Sequence, residues 1–174
     1  MASAILSSKK ERKGEDLHFA AAPSMHEEKA GNRITVIEPE DERFSLLLAK
    51  LQSSRRVSFE RTVKNLRWRF LDCPSRQYSM LAIGDEKGSG ISAYIVLRSV
   101  ELMGMRCGVI ADIGGLQVQP LKELVRYSVR LFRESGLDAV VAACCPSCDE
   151  YTALRRAGFF RIPSRLLPQP LHFI

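Results

Sequence analysis

The chain has 174 residues, of which 45% are hydrophobic and 26% are charged, and its formal net charge is +6. These proportions are ordinary for a globular domain, and the length allows one sizeable hydrophobic core. The sequence contains no apolar run near the roughly 18 residues that a membrane-spanning helix needs, so we expect no membrane partner.

The N-terminal stretch MASAILSSKKERKGED carries its charges after a very short apolar segment. A secretory signal has the reverse order, with its positive charges first, so the sequence predicts a cytoplasmic protein. Residues 1–32 are rich in Ser, Ala, Lys and Glu without a sustained period, which predicts a flexible N-terminal tail.

The positive charge favours anionic partners such as phosphorylated cofactors, but it is spread along the chain. Its clusters lie at Lys9–Lys13, Arg55–Arg69 and Arg155–Arg165. Surfaces that bind nucleic acid usually add stacking aromatic side chains to such clusters, and only 7% of the residues here are aromatic. We therefore interpret the basic residues as solvated surface, and nucleic acid is disfavoured as a partner.

A short strand and two helices are predicted in the first half of the chain. Ile34–Ile37 is rich in β-branched residues, as is typical of a strand. Apolar residues at helical spacing then predict one buried helix face, formed by Phe44, Leu47, Leu48 and Leu51. The stretch RRVSFERTVKNLRWRFLDCP predicts a second helical segment that stops before Pro74. In it we expect Trp68 to pack in the core and Arg69 to be exposed, the alternative being that both line an acceptor site.

The middle of the chain predicts three antiparallel strands. Tyr78–Ile83 and Ile91–Val100 flank the loop GDEKGSG, whose glycines are typical of a hairpin connection. ELMGMR turns the chain once more, and CGVIADIGGL forms the third strand.

The last third alternates helices and strands. The apolar residues of Leu121–Phe132 repeat at helical spacing, and Gly136 follows where a C-cap glycine belongs. LDAVVAACC predicts a strand that is covered on both faces. Ser147 and Glu150 match a capping box for a helix that ends at Gly158. FFRIPSRLLP and LHFI predict two short closing strands at a sheet edge.

These elements predict a single domain over residues 33–174 of the α/β class, an α+β sandwich with a mixed, mainly antiparallel central sheet flanked by helices. Their order, together with YTALRRAGFFRIP, resembles the GNAT superfamily of N-acetyltransferases. Members commonly close a helix on Leu-x-x-x-Gly-Phe, which here runs from Leu154 to Phe159. LRWRFLDCPSRQYSMLAI is similar to a divergent bacterial branch that has a Trp-Arg-aromatic segment and a proline before the first meander strand.

The resemblance implies an acyl-CoA-dependent N-acyltransferase that moves an acetyl group from acetyl-CoA to a primary amine. In the superfamily, acetyl-CoA enters a notch between two neighbouring strands, and backbone N–H groups at the start of the next helix bind its pyrophosphate. The implied donor-binding residues are Gly114, Gly115, Leu116, Gln117, Val118, Leu121 and Lys122. The usual Arg/Gln-x-x-Gly-x-Gly/Ala loop is missing here, because the helix begins directly after LQVQP.

The resemblance also implies two catalytic residues, Asp112 and Tyr151. Members often place their general base on the strand that holds Asp112, and the alternative is a local turn former bonded to the backbone around Gly114 and Gly115. Many members carry a tyrosine, the general acid toward the departing thiolate, where this chain has Leu154. Tyr151 lies one helical turn earlier and is the substitute candidate, the alternative being a packed aromatic side chain with a surface hydroxyl.

Three of the five cysteines fall in the stretch CCPSC. An odd number of cysteines without an export signal indicates reduced thiols. Structural zinc requires four ligands, and the other Cys and His residues stand at no recognised spacing, so we expect no metal. Cys144 and Cys145 fit a buried strand, whereas Cys148 lies near a helix N-terminus, where a thiol can become reactive.

Two function classes stay open at this point. An active transferase would take acyl-CoA and an amine acceptor as its partners, and its oligomeric state stays open, a homodimer being one option. The missing phosphate loop and Leu154 favour the alternative, a non-catalytic GNAT-like module that binds a ligand or another protein.

Overall fold

The computed structural model describes residues 2–6, 34–54, 61–74, 76–85, 88–102 and 104–162. Within these ranges, seven strands form a single sheet in the order β2-β3-β4-β5-β6-β1-β7. The strands are β1 (Ala2–Leu6), β2 (Ile34–Val36), β3 (Ser79–Gly84), β4 (Ile91–Leu102), β5 (Met105–Gly115), β6 (Ala139–Ala143) and β7 (Phe160–Arg161). Neighbouring strands are antiparallel except β5 and β6, which run parallel. The predicted mixed, mainly antiparallel sheet is confirmed.

Helices cover both faces of this sheet. They are α1 (Glu42–Ser54), α2 (Val63–Leu66), a π-helical turn (Arg67–Leu71), α3 (Val118–Glu134) and α4 (Asp149–Arg156). The buried side chains of α1, α2 and the π-helical turn share one hydrophobic cluster, and those of α3 and α4 share another. The predicted sandwich is therefore confirmed. None of the helices in the described ranges has the length and apolar character needed to cross a membrane.

Alternation along β4 divides the core into these two layers. Ala93 and Ile95 belong to the cluster with α3 and α4, whereas Tyr94 and Val96 belong to the cluster with α1. Successive strand residues point to opposite faces, so a strand covered on both sides is apolar throughout. The predicted apolar face of α1 is buried in full, with Phe44, Leu47, Leu48 and Leu51 all in the core.

Close packing of α3 along β5 positions the beginning of that helix. A Cβ atom on Gly108 would lie 2.5 Å from the Phe132 ring, so glycine is what allows the ring to contact the strand. At the other end, Gly136 has a φ of 69° and supplies the left-handed residue predicted after the helix. The first residue of α3, Val118, consequently stands directly beyond the end of β5 at Gly115.

The predicted capping box at Ser147 and Glu150 is wrong. The N-cap of α4 is Cys148, and no side-chain hydrogen bond caps the helix. The Cys148 N–H instead bonds to the Cys145 carbonyl, closing a turn that delays the helix by one residue. The Ser147 hydroxyl lies 3.2 Å from the Cys145 sulfur and takes no part in the cap.

The prediction that Trp68 packs in the core is also wrong. Its side chain is 73% exposed, and Leu66 and Phe70 are the buried residues of this segment. The carbonyl of Arg67 accepts from the N–H of Asp72, five residues later, which makes this turn wider than an α-helical one. The additional residue per turn changes which side chains face the sheet.

The ends of the chain differ from the prediction in one respect. Ala2–Leu6 forms strand β1 between β6 and β7, so the predicted flexible tail does not include these five residues. The predicted closing strand LHFI, at residues 171–174, lies outside the described residues, as do residues 55–60 of the predicted second helix.

Candidate functional site

The parallel pairing of β5 with β6 ends part of the way along β5, because β6 ends at Ala143. The pairing runs from Cys107–Ala139 to Ile110–Ala142 and then stops, while β5 continues to Gly115. At the same place the β4–β5 register shifts, because Val96 opposes Asp112 and Leu97 opposes Ile110. Ala111 is thus an additional residue on β5, a β-bulge that bends the strand. Residues Ala111–Gly115 form what we call the unpaired edge of β5.

Backbone donors of β5 alternate between β4 and the unpaired edge. The Leu116 N–H donates to the Ser92 carbonyl on β4 at 3.0 Å. Because successive N–H groups of a strand point in opposite directions, those of Ile113 and Gly115 face away from β4. The Ile113 N–H donates to Asp112 Oδ1 at 3.0 Å. The Gly115 N–H points to the side that β6 has left.

Asp112 lies at the centre of a partly buried polar cluster. Its Oδ1 accepts from Arg61 Nη2 at 3.1 Å, and its Oδ2 accepts from the Tyr94 hydroxyl at 2.8 Å. The side chains of Asp112 and Arg61 are only 10% and 17% exposed, and Tyr94 is fully buried. Burial removes water from both the carboxylate and the guanidinium, so each charge needs the other to offset its lost hydration. These two side chains form an ion pair.

The cluster perturbs the titration of its two other members. Burial raises the pKa of the Tyr94 phenol well above its ordinary value, and the Asp112 carboxylate raises it further. Burial alone lowers the pKa of Arg61, but attraction to Asp112 and smaller contributions from Tyr94 and Glu150 raise it above its ordinary value overall. Tyr94 is therefore neutral and Arg61 charged across the physiological range.

Sequence reasoning located Asp112 but missed its partners. Arg61 stands 51 positions away in a basic segment, and no local pattern identified it. Tyr94 carried a weak signal, since it is one of two residues with a hydroxyl in the otherwise apolar run ISAYIVL, the other being Ser92. Apart from the bond to its neighbour Ile113, Asp112 is engaged with these distant residues and not with the turn around Gly114.

The two glycines at the end of β5 are required by packing. A Cβ atom on Gly114 would lie 2.7 Å from the Tyr94 ring, and one on Gly115 would lie 2.7 Å from the Ala93 Cβ and 2.8 Å from Leu121. Gly114 thus lets the Tyr94 ring cross the strand toward Asp112. Gly115 lets the first turn of α3 approach the sheet.

The N-terminus of α3 has backbone donors that its own side chains do not cap. Its N-cap residue, Gln117, makes no side-chain cap hydrogen bond, and Pro120 has no N–H. The N–H groups of Gln117, Val118 and Gln119 precede the first intrahelical donor. Leu116 is 42% exposed and Gln117 is also exposed, so water or a ligand reaches this helix end.

Two further residues predicted to bind the donor lie in the same helix. The Leu121 side chain is fully buried in the core, and the contact of this residue with the donor stays a prediction. Lys122 is half-buried, and its charge stands about one turn from the helix start.

Comparison with known proteins identifies the architecture. No protein-family model and no curated protein matches the sequence. Among solved structures, glucosamine-6-phosphate N-acetyltransferase from Arabidopsis thaliana superimposes with a TM-score of 0.56 at 18% identity, over 82% of this chain and 99% of that one. The ribosomal-protein-alanine N-acetyltransferase from Brucella melitensis biovar Abortus 2308 gives a TM-score of 0.57 at 13% identity, over 80% and 99%. An aminoglycoside acetyltransferase from an uncultured soil metagenomic sample gives 0.51 at 15% identity, over 83% and 95%.

This chain has the GNAT fold. The resemblance noted in the sequence is thereby confirmed, and at these identities the comparisons establish the fold alone.

Helix α4 of this GNAT fold brings an acidic residue to the cluster. Glu150 is 3% exposed, and its charge contributes to the raised pKa of Arg61. Leu154, at the position where many GNAT members carry a tyrosine, is fully buried in the core. Tyr151 is half-buried on the same helix, and its hydroxyl is not among the partners of Asp112 in the described part of the chain. The structure therefore joins Asp112 with Arg61 and Tyr94, and Glu150 acts electrostatically on Arg61, whereas Tyr151 is not among the partners of Asp112 in the described part of the chain.

Metal ions in proteins are held mainly by acidic, histidine and cysteine side chains. No group of three or more such residues within the described ranges is arranged to hold a metal ion. The site at the unpaired edge is thus built from one ion pair, one phenol and backbone N–H groups.

Proposed function

We propose that this protein is an acyl-CoA-dependent N-acyltransferase that transfers an acetyl group from acetyl-CoA to a primary amine. The observation that carries the proposal is the end of the β5–β6 pairing after Ile110, next to a buried carboxylate and an uncapped helix start. Structural neighbours with the same fold are named as N-acetyltransferases, which supports this class of reaction.

The donor would be held mainly by backbone groups. The N–H groups of Gln117, Val118 and Gln119 suit the pyrophosphate of CoA, because a helix N-terminus offers unpaired donors and a positive dipole end. Lys122 would add a positive charge, and the exposed Leu116 would contact the pantetheine arm. This arrangement requires fewer glycines than the usual phosphate loop, since the chain does not wrap around the anion.

The reacting carbonyl would lie along the unpaired edge of β5. The Gly115 N–H faces this edge and is placed to stabilise the negative charge that develops on the thioester oxygen. The amine attacks the carbonyl carbon, the bond to sulfur breaks, and CoA leaves as a thiolate. Most of the rate enhancement would come from holding the two substrates together.

Proton transfer is assigned to two side chains. An ionised carboxylate has about four acceptor positions. Three of these positions on Asp112 accept hydrogen bonds from Arg61, Tyr94 and the Ile113 N–H. Within the described part of the chain one position remains for the attacking amine, whose proton Asp112 would take directly or through water. Tyr151 would supply a proton to the departing thiolate.

The experiment is incubation of the purified chain with acetyl-CoA and a panel of primary amines, with free CoA quantified by chromatography. Asp112→Asn should reduce turnover at least tenfold, whereas Asp138→Asn is the matched control, because Asp138 bonds the Arg106 N–H at the far end of β5. Absence of both turnover and CoA binding at millimolar concentration would remove the proposal.

A second candidate is a GNAT-like module that binds a ligand without catalysis. The full burial of Leu154 favours it, because the side chain in the usual position of the general acid faces the core. A ligand that binds only the native state raises the melting temperature. A rise with CoA in the absence of turnover would support a binding module, and turnover would exclude it.

A further inference from the structure

The two carboxylate oxygens of Asp112 have different partners. Oδ1 accepts from Arg61 Nη2 at 3.1 Å and from the Ile113 N–H at 3.0 Å, whereas Oδ2 accepts from the Tyr94 hydroxyl at 2.8 Å. Each oxygen of an ionised carboxylate offers about two acceptor positions. Within the described part of the chain, Oδ1 is therefore fully occupied, and the open acceptor position is on Oδ2.

Arg61 contacts Asp112 in a different way from the Arg43–Asp41 pair at the start of α1. The Arg43 guanidinium reaches both oxygens of Asp41, with Nε 3.1 Å from Oδ1 and Nη2 2.7 Å from Oδ2. Arginine and carboxylate side chains frequently pair through both oxygens in this manner. Arg61 bonds only to Oδ1 of Asp112, and the Tyr94 hydroxyl occupies the other oxygen. The cation thus lies beside the carboxylate without covering the oxygen that still has an open position.

Ordered elements hold both side chains that flank the carboxylate. Arg61 directly precedes α2, where the Thr62 side chain caps the helix by accepting from the Asn65 N–H at 3.2 Å. The Tyr94 ring packs edge-to-face against Phe44, with 5.0 Å between the ring centroids. Side chains that are themselves anchored by packing and hydrogen bonds can fix the orientation of the side chain between them.

We propose that Arg61 is a positioning residue of the transferase, acting through Asp112, and that Asp112 Oδ2 receives the proton of the acceptor amine. The inference rests on the proposed function, since it assigns roles within the same site. The amine nitrogen bonds to the thioester carbon, the C–S bond breaks, and CoA leaves as a thiolate. The N–H proton moves to Oδ2, so the carboxylate becomes neutral as the thiolate takes the negative charge.

Arg61 would contribute to the rate by holding the carboxylate in one orientation. Without this contact, the Asp112 side chain can change rotamer and turn Oδ2 away from the amine. A displacement of about 1 Å at a reacting group can cost about 100-fold in rate. The loss should appear in kcat and not in the KM for acetyl-CoA, because no contact with the donor is assigned to Arg61.

The test measures kcat and KM by CoA release, with acetyl-CoA and the primary amine that the native chain acetylates fastest. Arg61→Ala should lower kcat about tenfold or more and leave the KM for acetyl-CoA unchanged. Ethylguanidinium chloride replaces the atoms that this substitution removes and should restore part of kcat, whereas tetramethylammonium chloride should not. Arg67→Ala is the matched control with a native kcat, since it removes an arginine from an exposed ion pair with Glu40.

A second substitution separates positioning from a general structural role. In a chain that already carries Asp112→Asn, adding Arg61→Ala should cause no further loss of kcat, because the carboxylate that Arg61 orients is gone. The melting temperature of each variant shows whether it folds. If Arg61→Ala does not fold, Arg61→Lys takes its place. It keeps the cation but not the guanidinium geometry, and it should show a smaller loss of kcat with the same dependence on Asp112.

Three results would overturn the inference while leaving the transferase in place. The first is a native kcat in folded Arg61→Ala, and the second is an equal loss of kcat with and without the Asp112 carboxylate. The third is a raised KM for the amine at unchanged kcat, which would make Arg61 a contact of the acceptor. Absence of turnover in the native chain with every amine would instead remove the proposed function, and the inference with it.

Discussion

Tyr94 reaches Asp112 diagonally across the β4–β5 ladder, and Gly114 makes this possible. Tyr94 directly opposes Gly114, and Asp112 opposes Val96, two residues further along β4. Because Gly114 has no side chain, the Tyr94 ring passes over β5 and its hydroxyl donates to Asp112 at 2.8 Å. The glycine, the phenol and the carboxylate therefore act as one structural unit.

Replacing Tyr94 by phenylalanine should destabilise the fold. The ring volume stays the same, but Asp112 loses one of its donors, and a hydrogen bond to a charged group contributes about 1.5–3 kcal/mol. We expect the free energy of unfolding in urea to fall by about 2 kcal/mol. Tyr127→Phe is the matched control, since Tyr127 is half-buried at the side of α3 and should lose little. Equal losses in the two variants would contradict a special role for the Tyr94 hydroxyl.

Stability at alkaline pH should depend on the same hydroxyl. The pKa of Tyr94 is raised above its ordinary value of 10.0 in the folded state, first by burial and then by Asp112. A group whose folded pKa exceeds its unfolded pKa contributes stability that is complete below the unfolded value and is lost as the pH rises through the folded value. Unfolding free energies between pH 8 and about 11 should therefore decline less steeply in Tyr94→Phe than in the native chain. Parallel curves would refute the assignment.

The Arg61–Asp112 ion pair should show strong coupling in a double-mutant cycle. Arg61→Met leaves a carboxylate of low exposure without its cation, and breaking a buried pair costs about 3–5 kcal/mol, less where water has partial access. Adding Asp112→Asn should recover part of that loss, so the two effects should not be additive. The exposed pair of Arg67 and Glu40 is the control, and there the effects of the two single substitutions on the free energy of unfolding should be additive. Additivity at Arg61 and Asp112 would contradict the observed pairing.

The apolar pattern was sufficient to predict most of the fold because it is a local property. The stripe on α1 and the alternation along β4 each follow from periodicities that extend over a few turns or residues. The Arg61–Asp112 pair spans 51 positions, and nothing in the neighbourhood of either residue specifies its partner. Asp112 was located through the resemblance, since members often place their general base on this strand, and its environment required the tertiary structure.

Two of the wrong predictions share a physical origin. Trp68 was expected to pack in the core where a regular helix meets the meander, and the capping box rested on the spacing of Ser147 and Glu150, so both predictions assume an unbroken helical phase. A single additional residue changes that phase, in the π-helical turn that exposes Trp68 and in the turn that makes Cys148 the N-cap. Sequence patterns predict the presence of a helix or strand better than they predict which of its residues face the core or cap its end. One inserted residue changes that assignment, and it costs little energy when other contacts compensate.

Asp41 should stabilise the beginning of α1. Its Oδ1 accepts from the Arg43 N–H at 2.8 Å, and its Oδ2 pairs with the Arg43 guanidinium. Removing such a cap costs about 1 kcal/mol, so Asp41→Ala should lower the free energy of unfolding by that amount, whereas Asp41→Asn keeps an acceptor and should lose less. The Arg43 side chain is the main cause of the lowered pKa of Asp41. The stabilisation by Asp41 is therefore present above pH 3.8, the ordinary pKa of its carboxyl, and is lost as the pH falls through the lower pKa of the folded state. Urea unfolding at several acidic pH values measures this loss.

A proline at position 118 should test the donor site with little change to the fold. Val118 is the first residue of α3, and Gln117 before it is already extended, with φ −145° and ψ 153°, as a residue preceding proline must be. Val118→Pro removes one backbone N–H that would face the pyrophosphate. A hydrogen bond to a charged group contributes about 1.5–3 kcal/mol, so the Kd for CoA should rise about tenfold or more.

Calorimetric titration with CoA measures this change, and the melting temperature without ligand shows that α3 still forms. Asp149→Pro is the matched control, because it places proline at the first position of α4, a helix to which no phosphate contact is assigned. Val118→Ala retains the N–H and should bind CoA as the native chain does. An unchanged Kd in folded Val118→Pro would mean that this helix start does not hold the phosphates, since the amide donor is the group that the substitution deletes from the helix end.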